Sequence, residues 1–493
     1  MNKAKFYLGI DIGSTAVKAA LVDSDTLRIT ACRGCAYPTK REGIFVTQSP
    51  HDWVSAAVSA VRGALAATDT EPCIAGISVS AQGGSIFAAD RNREPISDAV
   101  SWMDSRASDE ADELYREFGE DIYRACGWRL SPLDDASKLL WLRKNHPGLF
   151  GRAAYFMTTA DFFTWWLCGN SVYDPTSAAI TRLFDIRTGK YNDALISRIG
   201  IDSGKLSAVL PCGKYAGTLG GDAATALGLS PGIPVWVGAH DQYCAAIGSG
   251  VTRPGQLLIA TGTAWVLFGV TGQAEFSELH AAPGVFPGIC GRCSEPKYGV
   301  IAALSGIGAS VERYAVLNGR SLSDSDTEAA RLLPSNVTSD RPYTPFTPCE
   351  EGRGFLPHAA GAGIVFDKPA DAEYAQKYLG LLEGAAFETL AAAEKIHVGK
   401  DISLIMSGGA ARSPLWRNIV ASAAASQGWR LAVSTERDAP AYGAALIAAA
   451  ADGADISDVA KNEATVPDAA YTEYLGRAFR VWKENILIGK GES

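Results

Sequence analysis

Two stretches of this chain, half its length apart, carry the same pattern. "FYLGIDIGSTAVKAALVD" (6–23) reads as an apolar strand, a polar Gly/Ser/Thr turn and a second apolar strand. "GQLLIATGTAWVLFGV" (255–270) reads the same way. A chain of 493 residues is too long for one hydrophobic core. The recurrence predicts two related halves, each opening with a β-hairpin whose tip carries glycine and hydroxyls. Between and after the hairpins, apolar runs alternate with helical patterns. Helices fit 51–67, most of 105–150, 379–396 and 439–451. Strands fit 74–82 and 232–242, and 402–425 reads as strand, Gly-Gly turn and helix. Such alternation predicts an α/β protein.

Apolar residues make up 47% and charged residues 20%, an ordinary globular balance. The net charge of −9 argues against a nucleic-acid or anionic-membrane partner. No apolar stretch approaches the roughly 20 residues of a membrane span, and the N-terminus passes straight into a strand. A cytoplasmic protein is expected. Of ten cysteines, Cys32/Cys35 and Cys290/Cys293 have CxxC spacing. They lie far apart without histidines around them, so reduced thiols are the expectation rather than a zinc site.

Chemistry concentrates at a few places. The tips Gly13-Ser14-Thr15 and Thr261-Gly262-Thr263 could converge backbone N–H groups and hydroxyls on an anion, and two facing tips could clamp a polyphosphate. An ordinary hairpin is the alternative for either alone. Asp11 ends the first strand just before its tip. A carboxylate beside phosphate needs a cation between them, so Asp11 reads as a Mg²⁺-side ligand, directly or through water, or else as a turn cap. Lys18 could meet phosphate charge or lie exposed. Gly408-Gly409-Ala410 would admit a planar ligand where a strand meets a helix. Asp241 is the single charged side chain in "VWVGAHDQYCAAIGSG" (235–250). It could accept the proton of a hydroxyl undergoing phosphoryl transfer, or cap the helix starting near Tyr243.

Strand–DxGST–strand, HDQ, a second hairpin with TGT, and "SGGAARSPLWR" occur in this order. So do "SWMDSRA" (101–107), "KLLWLRKNHP" (138–147), "PTSAAITRLFD" (175–185) and "LEGAAFE" (382–388). Over roughly residues 6–450 the chain resembles the FGGY carbohydrate kinases, within the sugar kinase, heat-shock ATPase and actin superfamily. The resemblance implies two ribonuclease H-like domains, each a central mixed sheet flanked by helices, closing over an interdomain cleft. The sugar side would span 1–248, the nucleotide side 249–478, and a polar tail 479–493. It implies Asp241 as general base and Asp11 as the carboxylate positioning Mg²⁺–ATP. Gly13, Ser14, Thr15 and Lys18 would form the first phosphate loop, Gly262 and Thr263 the second. Gly308 with Gly409, Ala410 and Ser413 would form the nucleotide pocket. Gln82, Trp102, Asp104 and Arg106 would face substrate. The implied activity is ATP-dependent phosphorylation of a small carbohydrate hydroxyl, a ketopentose such as xylulose foremost. Gluconate, fuculose, rhamnulose and ribulose are the alternatives, as is a non-catalytic nucleotide-gated regulator, and a homodimer is implied. Two departures bear on the sugar. Gln82-Gly83-Gly84-Ser85 stands where xylulose kinases often carry Gln-Met-His-Gly, and His240 stands where many relatives have Gly.

Overall fold

The structure, a computed structural model, describes residues 4–68, 72–262, 265–271, 282–286, 297–304, 306–333, 373–396, 402–436, 438–457 and 459–488. Each half is built on one mixed sheet, and the two sheets repeat one order. The first sheet runs Tyr215–Thr218, Pro234–His240, Cys73–Ala81, Lys5–Ile12, Ala16–Asp23, Ile29–Ala36. The second runs Asn462–Ala464, Arg430–Ser434, Ser403–Gly408, Gln256–Thr261, Trp265–Thr271, Lys297–Ala303, with Ala282–Phe286 added at its edge. In both, an antiparallel hairpin pairs through its first strand with a parallel strand, and a second parallel strand follows. The hairpin strands are nearly continuously buried, as strands covered on both faces must be.

The first half also carries a five-stranded sheet, in which Phe45–Gln48 and Ile86–Ala89 take part. Beside it pack helices from the 105–150 region. That region is not one helical run: Ser108–Cys126, Asp135–Asn145 and Pro147–Arg152 are separate, with Gly127 at φ 77° closing the first.

The two halves exchange packing partners. The helix Ala439–Ala451, from the second half, lies on the first half's sheet. Tyr442 donates to the carbonyl of Leu27 at 2.7 Å, and Tyr7 donates to Asp452 at 2.7 Å. The helix Asp241–Gly248, from the first half, sends Tyr243 edge-on to Phe268 of the second hairpin, ring centres 4.9 Å apart. These two helices cross with backbone touching backbone. A Cβ on Gly443 would lie 1.9 Å from the carbonyl oxygen of Cys244, and one on Gly248 2.1 Å from that of Ala439. One on Gly9 would lie 1.9 Å from the oxygen of Ala441. Only glycine permits this approach.

The expectation of a polar tail from 479 is corrected. Residues 469–488 form one helix, and Phe479 and Trp482 are buried in the second half's core against Phe387. Their spacing of three puts both on one helical face. Among the described residues no helix is long and apolar enough to cross a membrane. Cys32 and Cys35 stand three apart on one strand, so their side chains point to opposite faces. Both are free thiols, while Cys290 and Cys293 lie outside the described residues.

Candidate active site

Strand register decides what the first sheet can gather. Ile12 pairs with Ala81, and Ala81 with His240, so three adjacent strands end level. The residues at those ends are Asp11 and its tip, Gln82, and Asp241. Ligands of open α/β sheets bind in the crevice at the carboxyl ends of the strands.

Asp11 is buried and accepts a hydrogen bond from the Ser80 hydroxyl at 2.7 Å. Burial pushes its carboxyl up to about 7, with the charge of Asp241 adding, against the Ser80 bond and the charge of Lys18. Asp241 opens its helix, with His240 at the N-cap position and no side-chain cap bond. The helix begins at Asp241 itself rather than near Tyr243, so His240 and not Asp241 occupies the capping position. The Asp241 side chain keeps 23% of its surface exposed. Burial by the surrounding protein pushes it up to about 7, and hydrogen bonds from Gln242 oppose the rise. Nε2 of His240 lies 3.1 Å from Oδ1 of Asp241 without forming a hydrogen bond, and among the described residues Oδ1 has no donor. Burial holds His240 down at about 4, which keeps the imidazole neutral near pH 7. Its backbone N–H donates to the Thr176 hydroxyl at 3.0 Å, which is itself held by Asp174. The PTSAAI segment thus fixes the backbone on which Asp241 hangs.

At the first tip, the Gly13 N–H donates to Ala16 at 3.1 Å, while Ser14 and Thr15 reach the surface. Lys18 is not turned toward the tip. It pairs with Asp438 of the second half at 2.8 Å. Burial alone would lower its pKa, but Asp438 outweighs that and raises it.

The sugar-side expectations divide. Gln82 is buried, and among the described residues its Oε1 has no hydrogen-bond partner. Trp102 is 39% exposed, and its indole N–H donates to the Ser14 hydroxyl at 2.9 Å. Asp104 is fully buried and both of its oxygens are occupied. It accepts from the Val46 N–H and takes Arg106 in a two-pronged pair at 2.8 and 2.6 Å. Arg106 in turn stacks over Phe45 and Trp141. Sequence reasoning missed Lys138, which is buried and donates to the carbonyls of Gly84 and Leu133 at 2.7 and 2.6 Å. It pins the loop that follows Gln82.

The second half has its own cleft, of about 610 Å³. Thr261, Gly262, Gly308, Gly409, Ala410 and Ser413 line it, with Trp265, Tyr378 and Trp416 supplying apolar walls. Thr263 lies outside the described residues. Gly408 adopts φ 101°, and a Cβ there would lie 2.6 Å from the Thr261 carbonyl. Glycine is required for the strand to turn this close. The turn is then tied to the hairpin: the Gly409 N–H donates to the Thr261 carbonyl at 2.8 Å, and the Ala410 N–H to its hydroxyl at 3.1 Å. The Ser413 hydroxyl caps the helix Pro414–Ala425 through the Trp416 N–H. The size and the mixed lining suit a nucleotide.

Among the described residues no three or more His, Cys, Asp or Glu gather as a metal cage. Mg²⁺ commonly takes one or two carboxylates with the remaining ligands from substrate phosphates and water. Asp11, a buried carboxylate of raised pKa beside the tip, fits that pattern.

Comparison with known proteins agrees with this geometry. Residues 6–248 match the N-terminal domain, and 257–451 the C-terminal domain, of the FGGY family of carbohydrate kinases. A xylulose kinase of Lactococcus lactis is 26% identical over 97% of this chain and 96% of its own. An autoinducer-2 kinase of Salmonella typhimurium is 27% identical over 90% of this chain and 85% of its own. The solved gluconate kinase of Lactobacillus acidophilus shares the fold at a TM-score of 0.86, with 20% identity, 99% of each chain being covered. Two mixed-sheet domains, the level strand ends and the matched length together show that the chain belongs to the FGGY family of carbohydrate kinases and is a phosphotransferase.

Proposed function

We propose that this kinase transfers the terminal phosphoryl group of ATP to a hydroxyl of a small ketopentose of the xylulose type, with Asp241 as general base. One observation carries the reading: at the strand ends beside Asp11 stands a carboxylate whose side chain keeps 23% of its surface exposed and whose buried Oδ1 has no hydrogen-bond donor among the described residues. A carboxyl held near 7 is ionised enough at neutral pH to take a proton and basic enough to draw it.

The other residues take roles by position. Gly13, Ser14 and Thr15 offer N–H groups and hydroxyls to phosphate, and Gly262 does so from the second hairpin. Gly308, Gly409 and Ala410 border the nucleotide. Ser413 fixes the helix below them through its cap. Asp11 holds the divalent cation, directly or through water. Mg²⁺ bound with the nucleotide would supply the charge neutralisation that phosphoryl transfer requires. Gln82 and Trp102 meet the sugar. Asp104 and Arg106 act on each other and shape the segment that carries Trp102. Lys18 serves the contact with Asp438.

The substrate class rests on the relatives named xylulose kinase, which match over nearly the whole chain. Matches to autoinducer-2 kinases of similar identity support a second reading, a different small polyhydroxy acceptor. ADP release measured over a panel of xylulose, ribulose, rhamnulose, fuculose, gluconate, glycerol and autoinducer-2 tests both. Xylulose is expected to give the highest kcat/KM. A higher value for any other member reassigns the substrate, and no sugar-dependent release from any of them overturns the reading.

A further inference from the structure

The first tip takes few bonds from its own half-turn, yet it is held from the sugar side at three atoms. The Gly13 carbonyl accepts from the Tyr37 hydroxyl, the Ser14 carbonyl from Gln48 Nε2 at 2.8 Å, and the Ser14 hydroxyl from the Trp102 indole at 2.9 Å. Gln48 is the central member. It ends the strand Phe45–Gln48 and is 1% exposed. Its Oε1 accepts from Gln82 Nε2 at 2.8 Å, and its Nε2 also reaches the Thr39 hydroxyl at 3.1 Å. A chain of amides therefore runs from Gln82 through Gln48 to the backbone of Ser14. One polar atom of that chain is open: Gln82 Oε1, buried and without a donor.

An amide chain has a direction. Each NH₂ must donate to the next oxygen, and reversing one amide sets oxygen against oxygen. Turning Gln82 over would set its Oε1 against Gln48 Oε1 and leave its NH₂ in the donor-free place, so the orientation that serves Gln48 is the better one, and it still leaves one buried oxygen uncompensated. A sugar hydroxyl donating to Oε1 would remove that cost. Gln48 Nε2 would then stay on the Ser14 carbonyl, with the tip's N–H groups aimed.

From this geometry we propose that Gln48 is a positioning residue through which an occupied sugar pocket orders the first phosphate tip. The proposal rests on the assignment of Gln82 to the sugar and Ser14 to phosphate. Its consequence is thermodynamic coupling: sugar tightens the productive use of ATP, and by reciprocity ATP tightens sugar. A tip held less firmly when the sugar is absent also suppresses ATP hydrolysis in its absence.

The test compares Gln48→Met, which matches the side chain in length and removes both bonds, with the wild-type protein. ATP KM is measured at low and at saturating concentrations of the panel sugar that the wild type turns over fastest. ADP release without sugar is measured alongside. In the wild type, saturating sugar is expected to lower ATP KM several-fold. In Gln48→Met that dependence is expected to disappear, with kcat down about tenfold from a misplaced tip. A structural role alone would lower activity and leave the dependence of ATP KM on sugar unchanged, and that result overturns the proposal. So does a wild type whose ATP KM ignores sugar. Gln48→Glu covers a failure of the first variant to fold. It keeps the acceptor for Gln82, replaces the donor to Ser14 by an oxygen, and is expected to uncouple to the same degree. A wild type that phosphorylates no sugar refutes the functional reading itself, whereas intact turnover and coupling in either folded variant refutes only the role of Gln48.

Discussion

The two halves use one strand order for opposite electrostatic purposes. In the first hairpin the residue before the last of the rising strand is Asp11; at the equivalent place in the second stands Ala260. The first half's final parallel strand leads into Asp241, at a helix start, with a buried oxygen that no described residue donates to. The second half's equivalent junction carries Asp438, at the N-cap of Ala439–Ala451, already paired with Lys18. The carboxylates available for chemistry therefore belong to the first half. The second half's cleft is lined mainly by glycines, hydroxyls and aromatic walls, with Glu312, Asp326 and Arg412 also bordering it. A duplicated scaffold need not duplicate its chemistry. A cation and a proton acceptor are wanted beside the reacting phosphoryl group, while the nucleotide's flat base and ribose are best held by glycines, hydroxyls and aromatic walls.

The largest test of this asymmetry exchanges equivalent residues. Asp241→Asn should lower kcat by roughly 10²–10⁴-fold, the range for a lost general base, while ATP binding measured by titration is retained. Asp438→Asn, at the matching junction, should change kcat by less than about tenfold, because its carboxylate serves a partly exposed ion pair. Equal losses in the two variants would abolish the distinction. Next comes pH. The base works only when deprotonated, and burial holds Asp241 up at about 7. kcat/KM should therefore fall about tenfold per pH unit below 7 and level off above it. A flat profile between pH 5.5 and 8 would contradict the assignment.

Smaller effects probe the join and the cores. Gly443→Ala places a methyl where the Cys244 carbonyl lies 1.9 Å away. A loss of about 1–3 kcal/mol is expected from such overpacking, read as a lowered Tm. The smallest concerns a carboxyl of the second half that has no cleft to serve. Glu388 is buried on the helix Tyr374–Lys395, its Oε1 without a partner among the described residues, and burial pushes it up to about 8. The folded protein then holds a proton that the unfolded chain releases above about 4.5. Stability accordingly falls as pH rises between those values. Glu388→Gln should remove that slope and raise stability at pH 8 by about 1 kcal/mol, since the buried amide carries a penalty of its own. Unchanged pH dependence of Tm between 5 and 8 would contradict it.

Much of the site is legible in the sequence because it sits in local patterns. A Gly/Ser/Thr tip between two apolar runs marks each hairpin, and Asp241 stands out as one charge amid apolar neighbours. Gly409 and Ala410 follow from a strand-to-helix turn. What escapes is long-range. Gln48 in "FVTQSP" has no local signal, since its meaning depends on residues 34 positions away on either side, Ser14 and Gln82. Lys138 looks like a surface residue of an amphipathic helix, and only the fold reveals carbonyls closing over it. Asp104 and Arg106 look like ligand groups by type, but two residues apart in a tight turn they satisfy each other first. Phe479 and Trp482 were masked by the charged residues between and after them.

The glycine-bared crossing of the two helices has a mechanical consequence. A joint padded with side chains can slide, because methyl groups ride over one another. One in which carbonyls occupy the space of a methyl acts as a bearing: it tolerates turning but resists sliding. Displacement about a bearing grows with distance from it. Asp241 begins one of the two crossing helices, three residues before Cys244 whose carbonyl meets Gly443, and so lies near the axle. Any turning of one half on the other would sweep the parts farthest from the crossing through the widest arc while the base stayed almost still. The residue that must be placed to a fraction of an ångström is thus the one that the motion disturbs least.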